Sequence, residues 1–181
     1  AAVHKSTDGG ESWSIVFNTS AYHALAGAHI HLVSIDPYDG WYYLGVGDNQ
    51  YSACTLLISR DHGQTWEPRE ITSGRVVGEN GFLSATYPDP QRVFFYTDNS
   101  PSAFEYIKDT GEMRLLFSGT GSGLAVSGFA YAAVTGAYGV SYISMNFYGP
   151  EKTGRIWLSI DGSAWYQVGD EQSWGLVAHG G

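Results

Sequence analysis

Three carboxylates stand in polar stretches between apolar runs, where bond-breaking chemistry is easiest to place: Asp48, Glu79 and Asp98. Hydrolysis of a glycosidic bond needs two carboxyl groups flanking it, about 5–5.5 Å apart for retention and roughly 6.5–9.5 Å for inversion. Residues suited to holding a sugar lie in the same kind of stretch: His29, Asn49, Tyr51, Arg75, Asn80, Asn99, Asn146 and Tyr148. Amides and charged groups fix hydroxyls, and aromatic rings stack on the apolar faces of pyranoses. The plainer reading of the same acids is that they are solvated loop residues of an acidic protein. Trp41-Tyr42-Tyr43 offers a further ring surface, but side chains alternate along a strand, so at least one of the three belongs to a core.

Other chemistries find little to work with. The histidines do not stand at zinc-ligand spacing, and Cys54 is the single cysteine, so the sequence predicts neither a metal site nor an internal disulfide. Gly119-Thr120-Gly121-Ser122-Gly123 is glycine-rich, yet no helical pattern follows it, so it reads as a connection and not a phosphate loop. No cofactor is expected. Nine Lys and Arg against eighteen Asp and Glu give a net charge of −9, with no basic run to displace counterions from a duplex. Nucleic acid and anionic lipid are therefore poor partners, and no apolar stretch is long enough for membrane insertion. Asn18-Thr19-Ser20 fits the glycosylation sequon.

The elements that would position these residues are set by a repeat. Ser6-Thr7-Asp8-Gly9-Gly10-Glu11-Ser12-Trp13 returns as Ser59-Arg60-Asp61-His62-Gly63-Gln64-Thr65-Trp66. A shortened copy runs from Ser159 through Asp161 to Trp165, and a decayed one, around Asp109, has no Trp. The four Asp positions, 8, 61, 109 and 161, are separated by 53, 48 and 52 residues, a period typical of repeat arrays. In each octet the Asp carboxylate can accept backbone N–H bonds a few residues on and hold a tight turn closed. Gly10 and Gly63 can take a positive φ, and the Trp offers a large apolar face to a neighbouring repeat.

Between the octets lie strand-like runs at 30–36, 41–47, 54–60 and from Trp66; at 82–87, 92–97, 103–107 and 113–117; and at 129–135, 139–145, 155–160 and 165–168. Each unit has four short strands, A to D, with the octet between C and D. The fold expected is all-β: a partial β-propeller of four-stranded antiparallel blades. Its segments are a part blade at 1–20, blades at 28–72, 80–118 and 127–170, and a part blade at 173–181. Three complete blades and two partial ones do not close a ring, so the expectation is a longer chain or an associated chain that supplies the rest.

The pattern S-x-D-x-G-x-[ST]-W resembles the Asp-box, or BNR repeat, of sialidases, xyloglucanase-type glycoside hydrolases and sortilin-like receptors. "SIDPYDGWYYLGVG" followed by "LLISRDHGQTWEP" is similar to the blade rhythm of the xyloglucanase-type enzymes. The resemblance implies that Ser6, Asp8, Gly10, Trp13, Ser59, Asp61, Gly63, Trp66, Asp109, Ser159, Asp161 and Trp165 are structural. It places them on the face away from any ligand. The ligand face then carries the D-to-A links (18–29, 70–80, 118–128, 169–173) and the B–C loops (47–53, 98–102, 146–154). On it fall Asp48, Glu79 and Asp98 as catalytic candidates and the eight ligand-binding candidates. The function implied is a carbohydrate-directed propeller, leaning to a glycoside hydrolase, with a glycan partner and a secreted or extracellular setting. A complete sialidase centre is not matched: of the six arginines none lies in an Arg-Ile-Pro motif. The alternative is a non-catalytic propeller that binds a glycan or protein or builds a larger assembly.

Overall fold

A computed structural model describes residues 1–21, 27–47, 55–70, 81–97, 102–118, 127–135, 140–148, 154–161 and 163–170. The chain divides into two compact units, Ala1–Phe82 and Leu83–Gly181. In the first unit β1 (Ala2–Lys5) and β2 (Ser14–Asn18) form a two-stranded antiparallel sheet. A 3₁₀ turn, Thr19–Ala21, follows it. Next, β3 (His29–Ile35), β4 (Tyr42–Gly47), β5 (Thr55–Ser59) and β6 (Glu67–Glu70) form a four-stranded sheet in chain order. The second unit holds two more such sheets. One is β7 (Phe82–Asp89, starting at the division), β8 (Arg92–Thr97), β9 (Ser102–Ile107) and β10 (Glu112–Ser118). The other is β11 (Ser127–Thr135), β12 (Ser141–Tyr148), β13 (Gly154–Ser159) and β14 (Tyr166–Asp170). The protein is all-β, built from sequential antiparallel meanders.

The middle strands explain the apolar runs. Every residue of β5 is buried, and so is every residue of β8 after Arg92. A strand covered on both faces has no reason to alternate, so "LLIS" and "VFFYT" read as continuous hydrophobic stretches. In the first unit Phe17, Ala28, Leu44, Val46 and Leu57 make the core, with Val3, Ile30 and Trp66 packed against it. Tyr43 is the fully buried ring of the Trp41-Tyr42-Tyr43 run. In the second unit Phe94, Phe95, Tyr96, Phe104 and Tyr106 are fully buried. Tyr96 keeps a polar partner there: its hydroxyl lies 2.7 Å from Thr86 Oγ1, which lies 3.1 Å from Ser141 Oγ on the adjoining sheet. Burial pushes that phenol well above its ordinary range.

Most strand boundaries move by one to three residues from those read in the sequence, and three of the moves bear on named residues. β3 begins at His29, so this residue is strand and not link; it sits opposite Gly47 in the ladder. β7 runs on through Pro88 and Asp89, beyond the run at 82–87 read in the sequence. Proline is tolerated there because β7 is the end strand of its sheet, with one side of its backbone outside that ladder. β12 extends to Tyr148, so Asn146 and Tyr148 belong to the strand and not to the 146–154 loop. Pairing continues that far because Ser127–Phe129 lie across from Asn146–Tyr148.

Candidate functional site

The aspartate turns are built alike in their two complete copies. In the first, Ser6 Oγ donates to Asp8 Oδ1 at 2.7 Å and accepts from Gly10 N at 2.8 Å. Ser12 gives Asp8 both its backbone N–H, at 2.9 Å to Oδ1, and its hydroxyl, to Oδ2. In the second, Ser59 Oγ donates to Asp61 Oδ1 and accepts from Gly63 N, each at 2.8 Å. Gln64 N and Thr65 N donate to Asp61 Oδ1 at 3.0 and 2.8 Å, and Thr65 Oγ1 donates to Oδ2 at 2.6 Å. Gly10 and Gly63 take φ values of +97° and +94°, which glycine reaches without strain. The donors favour the charged carboxylate. The Thr65 hydroxyl and backbone first, then Ser59 and Gln64, lower Asp61 from 3.8 to about 2. Ser12 first and then Ser6 hold Asp8 well below the carboxylate range.

The shortened copies close differently. Asp161 Oδ1 accepts from Ser163 N at 2.9 Å and from Ser163 Oγ at 2.6 Å, two residues on where the full turns reach four. These bonds lower its carboxyl, with a smaller contribution from Arg92. The turn around Asp109 is shut by backbone: Gly111, at φ +69°, donates its N–H to Ile107 O at 2.8 Å. Ile107 occupies the place that Ser6, Ser59 and Ser159 hold in the other copies, so the hydroxyl that fastens the full turns is missing.

Each sheet then has two distinguishable ends. At one end of the first four-stranded sheet Tyr42 faces Ser59 and Ile58 faces Glu67, and the aspartate turn joins β5 to β6. At the other, His29 faces Gly47, Val46 faces Thr55, and Thr55 faces Glu70. The register of the second sheet repeats this, with Arg92 facing Ile107 at the turn end and Tyr96 facing Ala103 at the other. In the third, Ser141 faces Ser159 at the turn end, while Ser127 faces Tyr148 and Arg155 faces Asp170 at the other. Antiparallel meanders force this: the B–C loop and the entry and exit of the sheet share one end, opposite the turn.

Of the predicted site residues, Asp48, Glu79, Asp98, Asn49, Tyr51, Arg75, Asn80 and Asn99 lie outside the described residues. The strand ends next to them are described. Asp48 and Asn49 follow Gly47, the last residue of β4, and Asp98 and Asn99 follow Thr97, the last of β8. Glu79 and Asn80 come just before Gly81, which leads into β7. Thr97 Oγ1 accepts from Ser102 N at 3.1 Å, pinning both stems of the loop that bears Asp98 and Asn99. His29, exposed at the start of β3, has its ring 6.2 Å from that of His31. Asn146 and Tyr148 occupy the end of β12 that pairs with Phe129 and Ser127. No group of three or more metal-ligating side chains occurs among the described residues.

Two positively charged side chains matter in ways that local sequence does not signal. Lys5 Nζ donates to His62 O at 3.0 Å and stands 5.3 Å over the Tyr42 ring, tying β1 to the next aspartate turn. Arg92 does the corresponding job in the second unit, donating to Asp161 O at 2.7 Å while pairing with Asp89 and Glu105. The turn tryptophans complete these joints. Trp66 Nε1 donates to Val16 O at 2.8 Å, and its ring meets Phe17 edge-on at 5.5 Å. Trp165 meets Phe94 and Tyr96 edge-on at 6.2 and 6.0 Å.

No family model matches the sequence, and no curated protein matches it. Among solved structures, the chain is similar in fold to an ulvan lyase described as a new family of polysaccharide lyase, PL25. It matches two structures of that enzyme, one of them bound to -[GlcA(1-4)Rha3S]-. In both the identity is 13% and the TM-score 0.56, over 86% of this chain and 45% of the lyase. The match therefore spans less than half the length of that enzyme, and the likeness is one of fold.

Proposed function

We propose that this chain is part of a carbohydrate-directed β-propeller of the Asp-box kind. Its glycan surface is made by the connections at the sheet ends opposite the aspartate turns. The observation that carries this reading is the register: in each four-stranded sheet the stems of the candidate loops emerge together at the non-turn end. The fold likeness to a polysaccharide lyase supports a polysaccharide as the class of ligand. Within that class we favour glycoside hydrolysis, with Asp48, Glu79 and Asp98 as the carboxylates to place around the bond. Secretion goes with this reading, since polysaccharides are commonly met outside the cell. A sialidase-type arginine clasp is disfavoured, because Arg60, Arg69, Arg92 and Arg114 each pair with a carboxylate of their own sheet.

The test is a panel of sialosides, β-glucans and a sulfated glucuronate–rhamnose polysaccharide. New reducing ends without new ultraviolet absorbance mean hydrolysis, and reducing ends with the absorbance of an unsaturated uronide mean elimination. Binding without turnover, unchanged by Asp48→Ala with Glu79→Ala, would replace the enzyme by a non-catalytic binding propeller, which the engaged arginines favour. Failure to bind any member of the panel would overturn the carbohydrate reading.

A further inference from the structure

The chain has five asparagines, and Asn18 alone is followed two positions on by a hydroxyl residue with no proline between: Asn18-Thr19-Ser20. Asn18 is the last residue of β2, and Thr19 opens the 3₁₀ turn that follows. Phe17 and Thr19 are 3% and 2% exposed, and Thr19 N donates to Ala1 O at 2.9 Å. The backbone is therefore fixed on both sides of Asn18. Asn18 itself is half-buried, and Ser20 and Ala21 beyond it are exposed.

The side chain closes an Asx turn. Ser20 gives Asn18 Oδ1 both its backbone N–H, at 3.0 Å, and its hydroxyl, at 2.8 Å. A backbone N–H can only donate, so the amide oxygen must face Ser20 and Nδ2 must turn away. Among the described residues no hydrogen bond uses Nδ2. Joining a sugar to Nδ2 replaces one of its two hydrogens and leaves Oδ1 as it was, so the turn keeps both bonds. The strand that follows each later turn, β6, β10 or β14, is an end strand of its sheet. β2 follows the first turn in the same way, with Asn18 facing Ala2 at the end away from that turn. A strand added to this sheet joins at β1 and leaves Asn18 on the outer edge.

We infer that Asn18 is a site of N-glycosylation. The co-substrate class is an oligosaccharide carried on a polyprenyl diphosphate, used with an oligosaccharide transferase. Nδ2 attacks C1 of the first sugar and the C1–O bond to the diphosphate breaks. The diphosphate leaves with the electron pair, and the amide gives up one proton to a base of the transferase. The inference rests on the reading above only for the secreted setting, which the test supplies. Failure to bind a polysaccharide would leave it standing.

The test is to send the 181-residue chain through a eukaryotic secretory pathway and measure its intact mass. One N-linked oligosaccharide is expected on most chains. Digestion with peptide N-glycosidase in heavy-oxygen water should leave the label at position 18. Asn18→Gln and Ser20→Ala should each bring occupancy to background, and Ser20→Thr should keep it. A secreted chain without the sugar overturns the proposal, and so does N-linked sugar that persists in Asn18→Gln. Trimmed to its first sugar, the chain should melt within about 2 °C of the chain made in bacteria without it. A much larger drop would mean that the sugar breaks the Asx turn, and would overturn the claim that the folded chain carries it. Should a variant fail to be secreted, the label on the unsubstituted chain decides.

Discussion

At the scale of single residues the aspartate turn is an electrostatic device. An exposed carboxylate gains little from one hydrogen bond in water, but Asp61 receives four at once, two of them from Thr65. Its lowered carboxyl value fixes the sign of the pH dependence. The charged form is favoured in the folded chain, so the stabilisation is whole above the ordinary value of 3.8 and is lost as pH falls through about 2. Thr65→Val removes the largest single cause and keeps the shape. Carbon-detected NMR titration should then show Asp61 moving back up toward 3.8, and acid unfolding should begin at a higher pH. An unmoved Asp61 would mean that the hydroxyl does not hold it. Gly63 is constrained by backbone: a Cβ there meets Val16 Cβ at 3.1 Å, at φ +94°. Gly63→Ala should cost about 1–2 kcal/mol in urea unfolding, and a neutral result would show that the turn can relax.

At the scale of elements the sheets are joined by what leaves each turn. Trp66 gives a ring contact and a part-buried hydrogen bond to β2, so Trp66→Ala should cost about 2–4 kcal/mol. Trp13→Ala should cost well under about 1 kcal/mol, since its ring is mostly exposed. Equal losses would mean that the two tryptophans play the same part within one chain. Strand existence and order were legible in the sequence because each strand is bounded by Gly, Pro or Asp turns. Their ends were less so. Hydrogen-bond partners across the sheet, and not local residue type, carry β12 on to Tyr148 and bring His29 into β3.

At the scale of the molecule, chemistry and stability are expected to separate. The candidate loops leave the sheets at the end away from the turns, so Asp48→Ala and Glu79→Ala should shift the melting temperature by less than about 2 °C while abolishing turnover of the responsive polysaccharide. A large stability loss with intact turnover would move these acids from the site to the framework.

What the sequence determined by itself is the repeating meander and its turn. Both arise from contacts within a few residues: an aspartate answering donors up to four positions on, a glycine at positive φ, a run too apolar to face water. Only the tertiary structure decided how one sheet is fastened to the next. Lys5 on His62 O and Arg92 on Asp161 O join residues 57 and 69 positions apart, and no local pattern encodes a bond over that distance. The same holds for the tryptophans. Three look alike in the sequence, and only packing shows that two are seated and one is left facing outward.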